Sequence, residues 1–313
     1  MKTLRRIALL FVVLVVFVGY PIVSLLGYNT LSISNRKYPP LTPDIPYEDV
    51  TFPTREGGYN VHAFYMPGKP DFPAIIAVHG WRGSRHSEND IKRNTALAGE
   101  GYTVLAVDLA DSGGDTVGNG RLAMGYEERY DVLGAFDYLL SRGFAPDRIG
   151  LWGVSMGAST SLLAAQIEPR LRAVIADSGY TRADTIASEQ AESFGFPRII
   201  VPGGMLWGVV LTGKAIWTTA AIEAGKDFAA NKQAIQLVHC TTDSFIVVRH
   251  ADDLLAAYQA AGVDVDLWKI DCVGQQNPPP GTTNNRHGIG YFEQPEEYMR
   301  RLNAFFAAHL GKG

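Results

Sequence analysis

The chain has 313 residues, 46% of them hydrophobic and 19% charged, so it can bury one large core, and disordered or fibrous classes are excluded. Its formal net charge of -4 argues against a nucleic-acid partner, because phosphate binding needs a strongly basic surface. No internal repeat is present, and the two cysteines lack any zinc-type spacing.

The chain opens with Lys2, Arg5 and Arg6, and residues 7–27 then hold no charged residue. At about 1.5 Å rise per residue such a stretch crosses a bilayer core of roughly 30 Å. Residues 1–34 are therefore expected to be a transmembrane anchor. The alternative is a cleaved signal peptide, whose one small-x-small site, Ser32-Ile33-Ser34, lies late. Arg36 and Lys37 flank the other end, so the basic residues only mildly favour a cytoplasmic N-terminus with the body outside the cytoplasm. Residues 35–46, "NRKYPPLTPDIP", suit an extended spacer.

From residue 47 to the end, strand and helix signals alternate. Residues 49–54 and 61–66 read as a hairpin about "REGGYN". Then come "AIIAVHG" (strand), 91–99 (helix), "YTVLAVD" (strand), 126–142 (helix), "IGLWG" (strand) and 156–166 (helix). "RAVIADS" and "AIQLVHC" are further strands, followed by a helix at 248–261, "VDVDLWKID" as the last strand, and a helix at 295–309. Consecutive Val, Ile and Leu in short runs indicate strands covered on both faces, hence an α/β fold with an open, mostly parallel eight-stranded sheet.

One stretch, 181–233, is far longer than an ordinary connection between strand and helix. It holds "FGFPRIIVPGGMLWGVVL" and reads as a helical cap over the strand ends, or as a buried insertion with no part in a site. Its Phe194, Phe196, Ile199, Ile200, Met205, Trp207 and Trp217 suit an apolar acyl group, and equally suit packing of the cap onto the core.

In "GVSMG", Ser155 lies between Gly153 and Gly157 where a strand passes into a helix. The G-x-S-x-G elbow is such a turn: it lifts the serine oxygen above the sheet, and the helix start offers N–H groups to a developing oxyanion. The plainer reading is a serine serving as turn or helix cap. A serine hydroxyl needs a base held by a third group. Of seven histidines, His287 lies in the loop after the last strand and is the chosen base, approached through the turn-rich stretch 275–281. His86 is the rival, and His79 is expected to brace the loop it begins. For the acid, Asp243 falls in the loop after a strand between Ser155 and His287. Asp177, also at a strand end, is the runner-up and Asp271 a third candidate.

These motifs, and their order, make residues 47–310 resemble an α/β-hydrolase. "VHGWRGS" resembles the family's His-Gly loop after the third strand, and "AVDLADSGGD" the loop after the fourth. "TTDSFIVVRH" resembles the acid loop, and "RHGIGYFEQPEEYMRRLNAFF" the histidine with the terminal helix. The resemblance implies Ser155 as nucleophile, Asp243 as acid, His287 as base, and the backbone amides of Trp81 and Met156 as oxyanion hole. It implies a serine hydrolase of the carboxylesterase or thioesterase kind working through an acyl-enzyme, with no metal or organic cofactor. A small-molecule or lipid-like acyl compound is the expected substrate. Acyl transfer, peptide cleavage and a non-catalytic membrane-tethered binding role are the alternatives. The loop "DLADSGGD" lacks the arginine the family often carries there. No propeller of the prolyl-oligopeptidase kind precedes the domain, which weighs against a peptidase, and a dehalogenase would need a carboxylate at 155. Oligomeric state stays open.

Cys240 and Cys272 end what should be neighbouring parallel strands about 4.8 Å apart. They could therefore pair in an oxidising compartment, or remain buried thiols.

Overall fold

The computed structural model describes residues 2–56, 58–274 and 286–311, so the expected turn-rich stretch at 275–281 lies outside the described residues. The chain begins with α1 (Lys2–Leu14), a π-helical turn (Val15–Gly19) and α2 (Tyr20–Ser32), which run on without a break. Thr3–Ser32 is long and apolar enough to cross a membrane.

Eight strands follow, β1 (Glu48–Pro53), β2 (Asn60–Met66), β3 (Ala74–Val78), β4 (Thr103–Val107), β5 (Ile149–Val154), β6 (Ala173–Asp177), β7 (Ala234–Cys240) and β8 (Asp264–Ile270). They form one sheet in the order β1-β2-β4-β3-β5-β6-β7-β8; only the pairs β1–β2 and β2–β4 are antiparallel. Every residue of β3 to β6 is buried, which explains why their sequences are apolar without alternation.

Helices α3 (Glu88–Gly99), α4 (Glu128–Ser141) and α5 (Met156–Ile167) connect the central strands. Beyond β6 come α6 (Ala183–Ser193), α7 (Val201–Thr212) and α8 (Gly225–Asn231), then α9 (Arg249–Ala261) after β7, and α10 (Gly290–Glu293) and α11 (Pro295–Leu310) at the end. One apolar layer joins the sheet to α4, α5, α8 and α9 through Phe136, Leu162, Phe228 and Tyr258. The opposite layer joins it to α3 and α11 through Leu97, Leu302 and Phe306.

Two stretches behave differently from their sequence reading. Of 181–233, α6 borders the space beside Ser155 and α7 packs on α2 and α6, whereas Ala221, Ala224 and Phe228 return to the core beside α9. The proline-rich 35–46 lies along the body rather than spanning a gap. Tyr38 Oη donates to the Arg82 carbonyl (2.7 Å), and His86 Nδ1 meets the Leu41 carbonyl (2.7 Å).

Candidate active site

Ser155 follows β5 directly, with φ 60° and ψ -126°, a left-handed backbone rarely adopted by residues with a side chain. Its N–H donates to the Asp177 carbonyl (2.8 Å), and α5 begins at the next residue. A Cβ at Gly153 would collide with the Gly157 carbonyl, and one at Gly157 with the carbonyls of Val78 and His79. The elbow therefore closes only with glycine at both places, and those glycines are what the five-residue motif encodes.

Ser155 Oγ lies 2.7 Å from His287 Nε2, and His287 Nδ1 lies 2.6 Å from Asp243 Oδ2. A carboxylate only accepts, so Nδ1 carries the proton and Nε2 is free to accept from Ser155. Asp243 is fixed in turn by the N–H groups of Phe245 (2.8 Å) and Ile246 (3.0 Å) on its other oxygen. The Phe245 ring stands 5.1 Å from the imidazole. At Gly288 an added Cβ would sit 2.8 Å from Val154 Cγ1, so a glycine after His287 lets that loop settle on the end of β5.

The rival residues are held elsewhere. Asp177 accepts from Ser178 Oγ and from Tyr298 Oη, each at 2.8 Å, and burial raises its carboxyl above the usual range. Asp271 meets Thr241 at the surface (3.3 Å). His86 pairs with Asp115 (3.0 Å).

The loop after β3 passes beside the elbow because Val78 pairs with Gly153 across the parallel strands. His79 Nε2 accepts the Leu109 N–H (3.0 Å), so its Nδ1–H donates to the Gly80 carbonyl (2.9 Å), which also accepts the Gly83 N–H (2.9 Å). In a trans peptide the N–H points opposite the carbonyl, so two donors on Gly80 also aim the Trp81 N–H. His79 thus braces the loop, as expected from its place. The Met156 N–H, in the first turn of α5, has no acceptor within the helix.

Three arginines did not stand out in the sequence. Arg85 bridges Asp49 (2.6 Å) and Asp115 (2.7 Å), and its backbone N–H reaches Asp108 (3.2 Å), so the loop after β4 gets its arginine from the loop after β3. Arg93, buried and paired with Asp90, donates to the Gly288 carbonyl (3.1 Å) beside His287. Arg82 lies over the Trp81 ring (4.1 Å). A composition scan sees these only as surface charge.

Two cavities meet at Ser155. One is an apolar slot bounded by Leu31, Met124, Met156, Tyr180 and Ile186. The other is an open cleft of mixed polar and apolar lining that includes His287, Arg36, Arg82, Phe194, Glu88 and Asp90. Met124 is held by Glu128, which accepts the N–H groups of Ala123 (2.7 Å) and Gly125 (2.8 Å). Burial nevertheless raises the Glu128 carboxyl to about 7, and that of neighbouring Asp131 to about 6, from ordinary values of 4.5 and 3.8. Between those limits the folded chain binds protons that the unfolded chain has released, so stability falls as pH rises. The urea midpoint is expected to decline as pH is raised from about 4.5 to about 7, and the slope to flatten in a Glu128→Gln, Asp131→Asn double variant. An unchanged slope in that variant would exclude this pair as its source.

Cys240 and Cys272 form a disulfide with Cα atoms 5.4 Å apart, tying the ends of β7 and β8 at the root of the Asp243 loop. Of the two outcomes the sequence left open, a disulfide or buried thiols, the disulfide is the one adopted. Replacing both with serine is expected to cost about 2–4 kcal/mol, read as a lower denaturant midpoint. An unchanged midpoint would contradict a structural role for this bond.

The sheet order, elbow and hydrogen-bonded Ser, His and Asp define an α/β-hydrolase of the serine type. Residues 61–268 match the X-Pro dipeptidyl-peptidase (S15) family, and the chain belongs to it. Among curated relatives, an uncharacterized peptidase, YuxL, of Bacillus subtilis is 20% identical over 274 residues, covering 84% of this chain and 39% of that protein. The acyltransferase drtE of Aspergillus calidoustus is 28% identical over 160 residues, 50% of each chain. This chain therefore spans half or less of these relatives. Among solved structures, the Pyrococcus furiosus esterase Pf2001 superposes with TM-score 0.65 at 21% identity, over 88% of this chain and 99% of that one. An acylaminoacyl peptidase of Pyrococcus horikoshii gives TM-score 0.60 at 17% identity, over 87% and 43%. Identities this low speak to the fold.

Proposed function

We propose that the chain hydrolyses carboxylic esters or thioesters through an acyl-enzyme on Ser155. His287 takes the Ser155 proton as the oxygen attacks the carbonyl carbon, and the N–H groups of Trp81 and Met156 receive the oxyanion. His287 then gives the proton to the leaving oxygen or sulfur as that bond breaks. Water, deprotonated by the same imidazole, adds to the acyl carbon and releases the acid together with free Ser155. One oxyanion donor in such a site is worth about 3 kcal/mol of transition-state stabilisation.

The observation that carries this reading is the division of space at Ser155. His287 must protonate the leaving group, so that part belongs in the cleft His287 borders, and the acyl part belongs in the apolar slot. The family supports a second reading, peptide cleavage. A peptide's free amine would need a carboxylate; among the described residues of the cleft, Asp90 is partly buried against Arg93, and Glu88 is exposed beside Lys92. The disulfide suits an oxidising compartment, so we place the body outside the cytoplasm, tethered by Thr3–Ser32.

The test is fluorophosphonate labelling of the intact membrane fraction, with turnover of p-nitrophenyl esters, acyl thioesters and Xaa-Pro anilides compared in wild type and Ser155→Ala. Ester or thioester turnover with Ser155-dependent labelling is expected. Turnover of the Xaa-Pro anilides alone would transfer the site to the peptidase reading.

A further inference from the structure

The anchor and the cap form one apolar unit. α1 stands bare, and from Tyr20 onward the helix leans on α7. Tyr20 Oη donates to the Ile199 carbonyl (3.0 Å) and accepts the Gly203 N–H (3.1 Å), and Trp207 Nε1 donates to the Pro21 carbonyl (2.9 Å). A Cβ at Gly203 would lie 2.8 Å from Ser24 Cβ, and one at Gly208 3.2 Å from Tyr28 Cε2, so glycine faces let the two backbones close. Small residues at a helix contact, with aromatic side chains at its margin, are how helices pack and anchor in lipid.

Depth follows from length. The bare apolar helix from Ile7 to Gly19 rises only about 20 Å, short of the roughly 30 Å hydrocarbon core. The first turns of α2, and α7 beside them, are needed to complete the span. α7 is dressed for that place: Leu206 and Val210 on its outer face are 62% and 64% exposed, and the preceding Ile199 is 72% exposed. No charged residue occurs from Ile199 to Thr212. Arginines mark the next level, at the end of α2. Arg82 donates to the carbonyls of Thr30 (2.5 Å) and Ile33 (2.6 Å), and Arg121 donates to Asn29 Oδ1 (2.8 Å) and Ser32 Oγ (3.1 Å).

Between α2, α6 and α7 lies a second apolar cavity, bounded by Tyr28, Ala191, Ile200 and Met205. It shares Leu31, Met124, Ala187 and Phe194 with the slot at Ser155. These four side chains stand between the two cavities, of about 50 and 20 Å³, so apolar surface runs from the α2–α7 pair to the nucleophile and a chain that passes must displace them. Trp81 joins the two ends, since its Nε1 donates to the Leu31 carbonyl (3.0 Å) while its backbone borders the elbow.

We propose that α7 rests in the same leaflet as the anchor, and that the cavity between α2 and the cap receives the acyl chain of a membrane-partitioned long-chain ester and delivers its carbonyl to Ser155. The polar remainder of the ester lies in the cleft with Arg36 and Arg82. This deepens, and rests on, the reading of Ser155 as nucleophile; the bonds made and broken are those given above.

The test uses the full chain in phosphatidylcholine vesicles and a long-chain alkyl fluorophosphonate with a diazirine at the far end of the chain. Fluoride leaves as the Ser155 Oγ–P bond forms; irradiation then marks what the chain end touches. Crosslinks to α2 and α7, at Tyr28, Ile200 or Met205, are expected. Crosslinks to cleft residues such as Ser193 or Gly288 would overturn the corridor. If neither a short-chain nor the long-chain probe labels Ser155, the failure belongs to the nucleophile reading instead. In Ala191→Phe, the ratio of kcat/KM for a lauroyl over a butyryl ester is expected to fall at least about tenfold, the scale of a few methylenes losing their pocket. An unchanged ratio argues against the corridor whatever happens to either rate. A nitroxide on Val210→Cys, the introduced thiol being labelled while Cys240 and Cys272 are bonded to each other, is expected to be relaxed more by oxygen than by an aqueous nickel chelate. The reverse order would put α7 in water and overturn its seat in the leaflet.

Discussion

Replacing Ser155 by alanine is expected to lower kcat for ester hydrolysis by about 10⁴- to 10⁶-fold, with little change in KM or urea midpoint. The oxygen removed is the one 2.7 Å from His287 Nε2, and a methyl at the same place fits the elbow without new contacts. The nucleophile and base act as a unit, so His287→Ala and the double variant are expected to fall to a similar floor rather than to multiply. What survives is catalysis by the oxyanion donors acting on bound substrate and water. Single-turnover assays on the three variants give the check. A Ser155→Ala enzyme within about tenfold of wild type would remove Ser155 from the chemistry.

Asp243→Asn is expected to cost about 10⁴-fold in kcat while leaving the fold intact. One carboxylate oxygen already accepts from Phe245 and Ile246, so the asparagine oxygen remains there and its NH₂ turns toward His287. Two donors cannot face each other, so His287 Nδ1 must become the acceptor and its proton moves to Nε2. Nε2 then has no lone pair for the Ser155 proton, and the base is lost without moving an atom far. Fluorophosphonate labelling rates and kcat should fall together. If the loss were less than about tenfold, the acid would have to be sought elsewhere, and buried Asp177 is the one to change next.

The strands were legible because both faces of the sheet are covered, so each strand is an apolar run with polar ends; "AIQLVHC" coincides with β7 residue for residue. The nucleophile was legible for a local reason, since the contacts demanding glycine at 153 and 157 arise from the elbow's own backbone and the strand beside it. The choice between Asp177 and Asp243 was not local. Both stand at or just beyond strand ends at the same end of the sheet, and it takes Tyr298 and Ser178, which donate to the two Asp177 oxygens, to hold that carboxyl apart from His287. The bracing of Asp115 by the Arg85 guanidinium escaped notice because the arginine comes from a different loop, brought near when β3 and β4 pair side by side.

The N-terminal helix and the cap divide along the same line. Sequence alone determined that residues 7–27 are apolar and long enough for a membrane, that Ser155 sits on a strand-to-helix turn, and that His287 follows the last strand, because periodicity, charge and glycine demand are properties of short stretches of chain. Tertiary structure alone decided which carboxylate holds His287, that α2 packs on α7, and that residues of α2 and α6 line both the slot at Ser155 and the cavity beside it. Those facts depend on contacts between residues far apart in sequence, from His287 with Asp243 at a separation of 44 to Trp207 with Pro21 at 186. No local pattern encodes them, because the free energy that fixes such contacts is gained only when the whole core closes.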